Sequence, residues 1–419
     1  MAVSKEIIRA LIKEGQELIE NIDLYDRPYD FEPKGRYVLV GIRQAGKSYM
    51  LYKRAKQFIQ QGARKEDIVY IDFDDERLLG FAAEDFDLIL QTYNAIYDRR
   101  PILFFDEIQN VDGWEHFARR LANQKYQVFI TGSNAKMLSR DIQTTLGGRY
   151  ICGNVFPYSF AEYIEAQNIK LEPEWQYGKT RFIVQQQFEV YLHWGGFPEL
   201  INYQNKRAWL NQLYEKILLG DVALRNRIKN DLPLRMVLKR LADNIMQPTS
   251  YNRLANLMQN SGFNISVSSV LSYINFAKDA YLLFSLENYT SKFVERATVK
   301  KHYFINNGLL NIFLSGGETA LLENLCAIFL YKKYGERLCF YNKNIEVDFF
   351  VPDEGYGIQV SYSIADDETR SRELTALEKL DAYIPLQRMV VITFDEEETV
   401  QLTNGKIIEI IPAWKWMLG

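Results

Sequence analysis

Cysteine and histidine are scarce, with three of each among 419 residues. Cys152, Cys326 and Cys339 lie far apart with no CxxC spacing. That excludes a disulfide framework and a cysteine zinc site, and the three read as buried free thiols in a reducing compartment. The histidines are too scattered for a histidine metal cluster. Charge of one sign is lacking too: 50 basic against 54 acidic residues leave a net charge of −4. The chain as a whole is therefore no nucleic-acid polycation, although a local basic face remains compatible with this balance. No apolar run approaches a membrane span, and "MAVSKEIIRALIKEGQELIENI" is an amphipathic helix without the apolar core of a signal peptide. A cytoplasmic location with no membrane partner is expected.

Aromatic residues, by contrast, make up 14% of the chain, with 27 Tyr and 25 Phe. A chain of this length exceeds one hydrophobic core, so several domains are expected. The most informative stretch is "GRYVLVGIRQAGKSYMLYKRAKQFI". Tyr37-Val38-Leu39-Val40 reads as a buried strand, Gly41 to Ser48 as a loop of pattern GxxxxGK[ST], and the remainder as a helix. Glycines at 41 and 46 let backbone amides approach a phosphate, and the helix adds its positive N-terminal end. The expected nucleotide-binding set is Gly41, Ile42, Arg43, Gln44, Ala45, Gly46, Lys47, Ser48 and Tyr49. Lys47 would reach the β- and γ-phosphates and Ser48 would hold Mg²⁺. Arg43 is read as packing or pairing nearby.

"RRPILFFDEIQNVDGWEHFARRLAN" supplies the acids. The apolar run Ile102 to Phe105 ends in Asp106-Glu107, and an acidic pair closing a buried strand is costly unless it serves a cation or a polar cleft. Asp106 fits a Mg²⁺ ligand, and Glu107 a general base for the attacking water. A further strand, "YQVFITG", leads into Ser133 and Asn134. In P-loop ATPases with an inserted central strand a polar residue here senses the γ-phosphate; capping of the next helix is the competing role. With "IVYIDFDDERL" as one more strand, the fold class is α/β, a parallel sheet with ligand at the strand C-termini.

Together "GIRQAGKS", "ILFFDEIQNVDGWE", "ITGSNAKMLSRD", "LGGRYICGNVFPYSFAEYI", "HWGGFPEL", "YFINNGLL", "LLENLCAIFL" and "EVDFFV…IQVSYS" resemble the bacterial and archaeal AAA+-related P-loop ATPases with an uncharacterised C-terminal region of winged-helix plus nuclease-like type. The resemblance implies ATP and Mg²⁺ as cofactors and an ATPase cycle. It also offers Arg149 as a residue near a nucleotide phosphate, in cis or across an interface, with a surface ion pair as the plainer role and Arg140 as a weaker candidate.

The expected divisions are an N-terminal helical segment (1–35), the ATPase core (36–155), a helical lid (156–230), a winged helix-turn-helix (231–295) and a nuclease-like domain (296–419). The third helix of the winged region, "SVSSVLSYINFAKDAYLL", carries Lys278 as its one cation and is serine-rich. Arg235, Lys239, Arg240 and Arg253 add basic charge nearby. DNA and a protein partner or self-association both stand as partners. "LLENLCAIFLYKKYG" reads as an amphipathic helix, and the α-β-β-β-α-β order that it begins resembles the restriction-endonuclease fold. In active members one Asp and one Glu bind Mg²⁺, with a Lys two positions beyond the Glu. Asp348 matches the first acid and Glu323 is a further carboxylate, but Gln359 and Ser361 stand where Glu and Lys are needed. Nothing in the sequence places Lys379 there. Losing an anionic ligand and the cation together removes most of the electrostatic stabilisation of cleavage, so this domain is not expected to cut.

Overall fold

The structure, a computed structural model, describes residues 3–25, 27–289 and 299–419. The boundary expected at 295/296 lies outside these residues. The chain divides into two compact units: Met1–Phe156 with Asp279–Tyr281, and Pro157–Lys278 with Leu282–Gly419.

In the first unit five parallel strands form one sheet: β1 (Tyr37–Val40), β2 (Ile68–Asp72), β3 (Ile102–Asp106), β4 (Gln127–Gly132) and β5 (Ile151–Asn154), in the order β2-β3-β4-β1-β5. β4 is thus inserted between the strand before the phosphate loop and the strand carrying the acids. The central strands are buried on both faces, which is why their sequences run apolar without alternation. Val38, Val40, Leu103 and Phe105 pack against helices Lys5–Asn21, Phe86–Ile96 and Trp114–Asn123 through Ile8, Ile12, Ile89 and Leu121. Each such fully buried aliphatic side chain contributes about 1.5–3 kcal/mol. On the other face Tyr37, Phe104 and Phe129 stack, with Phe58 of helix Lys47–Gln60 edge-on to Phe129 at 5.6 Å. The N-terminal helix is part of this core. A Cβ on Gly15 would stand 2.7 Å from the Tyr70 carbonyl oxygen, so glycine permits its close approach to β2. Strand β5 is at the sheet edge, and Cys152 on it is exposed, correcting the expectation that all three thiols are buried; Cys326 and Cys339 are.

The second unit begins with helices Phe160–Ala166, Lys179–Trp194 and Lys206–Lys216, the second ending where Gly195 turns to φ 70. Helices Leu232–Asp243 and Tyr251–Asn260 follow. A nine-stranded sheet comprises β6 (Thr249–Ser250), β7 (Leu283–Asn288), β8 (Val299–Phe304), β9 (Cys339–Asn342), β10 (Glu346–Val351), β11 (Tyr356–Val360), β12 (Arg388–Thr393), β13 (Glu398–Gln401) and β14 (Ile407–Pro412). Its order is β13-β14-β12-β11-β10-β9-β7-β8-β6. Strand β7, read from sequence as part of a separate winged module, therefore continues the C-terminal sheet, pairing antiparallel with β8 and parallel with β9. The Asn288 amide makes two hydrogen bonds with the Asn342 backbone, at 2.6 and 3.0 Å, and fastens that seam.

Helix Glu318–Tyr334, expected to be amphipathic, is buried continuously from Ala320 to Ala327. Its polar residues Glu323 and Asn324 point inward to partners, so polarity in the sequence does not mark an exposed face. Among the described residues no helix is long and apolar enough to cross a membrane.

Candidate nucleotide site

The loop from Gly41 to Gly46 leaves the C-terminal end of β1 and enters helix Lys47–Gln60 through Gly46 at φ 92, a left-handed conformation costly for any side chain. Its amide ends are those a helix N-terminus leaves without intrahelical acceptors. Gly41 needs to be glycine for a different reason: a Cβ there would stand 2.0 Å from the Val155 carbonyl oxygen. Ile42 is buried, and Gln44 also takes a left-handed backbone, at φ 62. Two cations fix the loop's carbonyls. Lys47 Nζ donates to Ile42 O at 3.2 Å, and the buried Arg27 guanidinium donates to Ala45 O and Phe156 O, each at 3.0 Å. Arg43 pairs with Asp74 at 3.6 Å. Tyr49 is half exposed and packs edge-on against Tyr52.

Lys47 also faces the acids, with Nζ 3.4 Å from Glu107 Oε1. Glu107 turns the chain from β3 with φ 48, and its own amide is held by Thr131 Oγ1 at 3.2 Å. Burial raises the Glu107 pKa, but the Lys47 charge, the Gln109 amide, Arg43 and the Ser133 hydroxyl outweigh it and hold the carboxylate below its ordinary range. Asp106 is buried and accepts from Tyr70 Oη at 2.8 Å and from Thr131 Oγ1. Burial first, and the neighbouring Glu107 charge next, push its carboxyl up against hydrogen bonds from Ser48, Thr131 and Tyr70. Ser48 and Asp106, the two residues expected to hold a metal, thus meet across the loop.

Ser133 is buried and faces Glu107 and Gln109. Asn134 does not: its side-chain oxygen accepts from Lys136 N at 2.9 Å and caps the turn Ala135–Leu138. Of that pair, Ser133 is the one the structure brings to the acids. Arg149 is exposed and donates back to Gly147 O on its own loop at 3.1 Å, and Arg140 is exposed.

Several residues at this site were missed in the sequence, Thr131 and Gln109 among them. Arg27 lies outside any motif. Tyr52 and Tyr70 form a hydroxyl pair, 3.1 Å apart, that ends on Asp106. Asp72 pairs in register with Asp106 across β2 and β3, and burial, then the Asp106 charge, raise it to about 7. Its position as an acid closing a buried strand, like Asp106, was the available signal.

In the second unit a cavity of about 880 Å³ is lined by Glu323, Glu346, Asp348, Gln359, Arg372 and Lys379, among others. A cation from β8 faces these acids. Lys301, fully buried, places Nζ 3.1 Å from Asp348 Oδ1, 3.2 Å from Glu346 Oε1 and 3.4 Å from Glu323 Oε1. Tyr303 donates to Glu323 at 2.7 Å. The Gln359 amide is spent on the backbone and on Glu373: Oε1 accepts from Asp348 N at 2.8 Å and Nε2 donates to Glu373 Oε2 at 2.8 Å. The Ser361 hydroxyl bonds to Ser363 O. Among the described residues no three acidic, histidine or cysteine side chains make a ready metal cage.

Comparison with known proteins places these features. Residues 34–164 match the model of an AAA domain, and residues 185–320 match a domain of unknown function, DUF8612. The chain is 30% identical over 435 residues to uncharacterized protein MJ1544 of Methanocaldococcus jannaschii, covering 100% of this chain and 96% of that protein. It is 27% identical to an uncharacterized protein of Haemophilus influenzae, covering 91% and 94%. Among solved structures, the Walker-type ATPase PABY2304 of Pyrococcus abyssi has a TM-score of 0.41 at 14% identity, covering 74% of this chain and 95% of that one. AMPPCP-bound DnaA from Aquifex aeolicus has a TM-score of 0.26 at 16% identity, covering 66% and 91%. The chain belongs to the family of MJ1544, and its first unit is a P-loop AAA domain of the nucleotide-binding ATPase type.

Proposed function

We propose that the first unit binds Mg²⁺-ATP at Gly41–Ser48 and hydrolyses its γ-phosphate. The observation that carries this is the meeting of Lys47 with Glu107, and of Ser48 with Asp106, at the ends of three adjacent strands. Lys47 neutralises phosphate charge, and Glu107 accepts a proton from the water that attacks the γ-phosphorus. The bond to the bridging oxygen then breaks and ADP departs with its electron pair. Ser48 and Asp106 are the residues that would hold Mg²⁺; when bound it offsets charge on the phosphate oxygens. The phosphate also relieves the ground state, because it takes Lys47 from Glu107 and leaves a better base. Lys47→Ala should abolish ATP binding in calorimetry, and unchanged affinity would overturn the assignment. Glu107→Gln should bind ATP and lose turnover by about 100-fold or more.

The same reading has hydrolysis rearranging the second unit, as a regulatory or DNA-associated machine working through its helix-and-hairpin region. Support for a non-cutting platform comes from Gln359, which is neutral and whose amide is spent on Asp348 N and Glu373; the missing lysine at 361 argues less, because Lys301 sets an ammonium beside Asp348. Incubation of the full chain with plasmid, ATP and Mn²⁺ tests this. Cleavage abolished by Asp348→Ala would overturn it in favour of an ATP-dependent nuclease.

A further inference from the structure

Immediately after Glu107 the chain makes a single 3-10 turn, Ile108–Asn110, that folds the side chain of Gln109, two residues on, back over the acid. Residues two apart do not meet on a regular helix. Here they do, because Glu107 adopts the left-handed backbone that begins the turn. Gln109 Nε2 donates to Glu107 Oε2 at 2.6 Å and lies 3.4 Å from Ser133 Oγ. The surroundings are built for this placement. Asn110 Nδ2 anchors the turn to Phe73 O at 3.2 Å, and Thr131 holds the Glu107 amide. Gly132 leaves room: a Cβ there would stand 2.2 Å from Gln109 Oε1. That Oε1 is buried and accepts no hydrogen bond among the described residues, a cost the site bears to keep Nε2 on the carboxylate.

The two oxygens of Glu107 therefore have different partners. Oε2 is held by Gln109, and Oε1 faces Lys47. We propose that Gln109 is a positioning residue for ATP hydrolysis, holding Glu107 by Oε2 so that Oε1 is presented to the attacking water once phosphate draws Lys47 away. This rests on the ATPase reading above and deepens it. The water oxygen bonds to the γ-phosphorus, its proton passes to Oε1, and the bridging oxygen leaves on ADP. Without Gln109 the carboxylate rotates, and the fraction of bound ATP that meets a correctly placed base falls.

The test uses the full chain with Mg²⁺-ATP. Q109A should bind ATP within about twofold of wild type and lose about 10- to 100-fold in kcat, the usual range for misplacing a general base. Q109E is the discriminating variant, because its carboxyl can donate to Glu107 only when protonated. Its kcat relative to wild type should be as low as that of Q109A at pH 8 and recover as the pH falls to 5.5. A packing role alone moves neither the split between affinity and kcat nor the pH profile. Q109A turning over within twofold of wild type, or faster, overturns the inference, as does loss of ATP affinity or a Q109E rate that shows no acid recovery. A wild-type chain that binds ATP without hydrolysing it overturns the ATPase reading itself.

Discussion

The Lys301 ammonium lies 3.1 Å from the Asp348 carboxylate across 47 residues of sequence, and both belong to one continuous sheet. Removing a buried cation leaves the Asp348 and Glu346 carboxylates beside the Glu323 carboxyl without compensation. Lys301→Met should therefore destabilise the second unit by about 3–5 kcal/mol, the usual cost of stranding one partner of a buried pair. Adding Asp348→Asn should restore part of that loss in chemical denaturation. Full additivity of the two losses would mean that the pair is not coupled.

Glu323 gives this unit a pH dependence. Burial raises its pKa from 4.5 to about 8 despite Lys301. A carboxyl whose folded pKa lies above its unfolded value holds more protons folded than unfolded between the two, so stability falls as pH rises from about 4.5 through 8. His302, buried and held neutral with its pKa lowered to about 3, acts at the other end, costing stability as pH falls below 6.5. Denaturation midpoints should decline from pH 6.5 to 8.5 in wild type and less steeply in Glu323→Gln. Parallel curves would remove Glu323 as the cause.

Arg27 touches the phosphate loop from outside, through the Ala45 carbonyl. Arg27→Ala should weaken ATP binding by about 10- to 100-fold, the equivalent of the roughly 1.5–3 kcal/mol of a charge-assisted hydrogen bond. Calorimetry reads this directly; unaltered affinity would show that the loop holds its shape without Arg27.

Tyr70 is a hydrogen-bond donor to the buried Asp106. Tyr70→Phe removes a donor that fixes the carboxylate's orientation, and half-maximal ATPase activity should need about tenfold more Mg²⁺, the scale of losses when a ligand's supporting bond is removed. An unchanged Mg²⁺ dependence, with only kcat lowered, would place Tyr70 elsewhere in the cycle.

Local pattern carried the first unit. Gly41, Gly46, Lys47, Ser48, Asp106 and Glu107 were legible because a phosphate loop and an acid-tipped strand are contiguous motifs whose backbone demands show in residue type. Ser133 and Asn134 were not separable, since both are short polar residues after one strand, and only their hydrogen bonds tell which faces Gln109 and which caps the next turn. Asp72 and Arg27 escaped because they reach the site through strand register and a contact 18 residues away, respectively.

The sequence alone determined the parallel α/β class of the first unit and the backbone form of its loop, because apolar strands, glycine turns and charged strand ends are local consequences of backbone sterics and desolvation. It also showed that Gln359 and Ser361 cannot act as a glutamate and a lysine. Only tertiary structure decided that Lys301 faces Asp348, Glu346 and Glu323: it lies on β8, which pairs with β7, and β7 in turn pairs with β9 across segments about 50 residues apart. A buried ammonium is tolerated where carboxylates surround it, and no local pattern in β8 announces those partners.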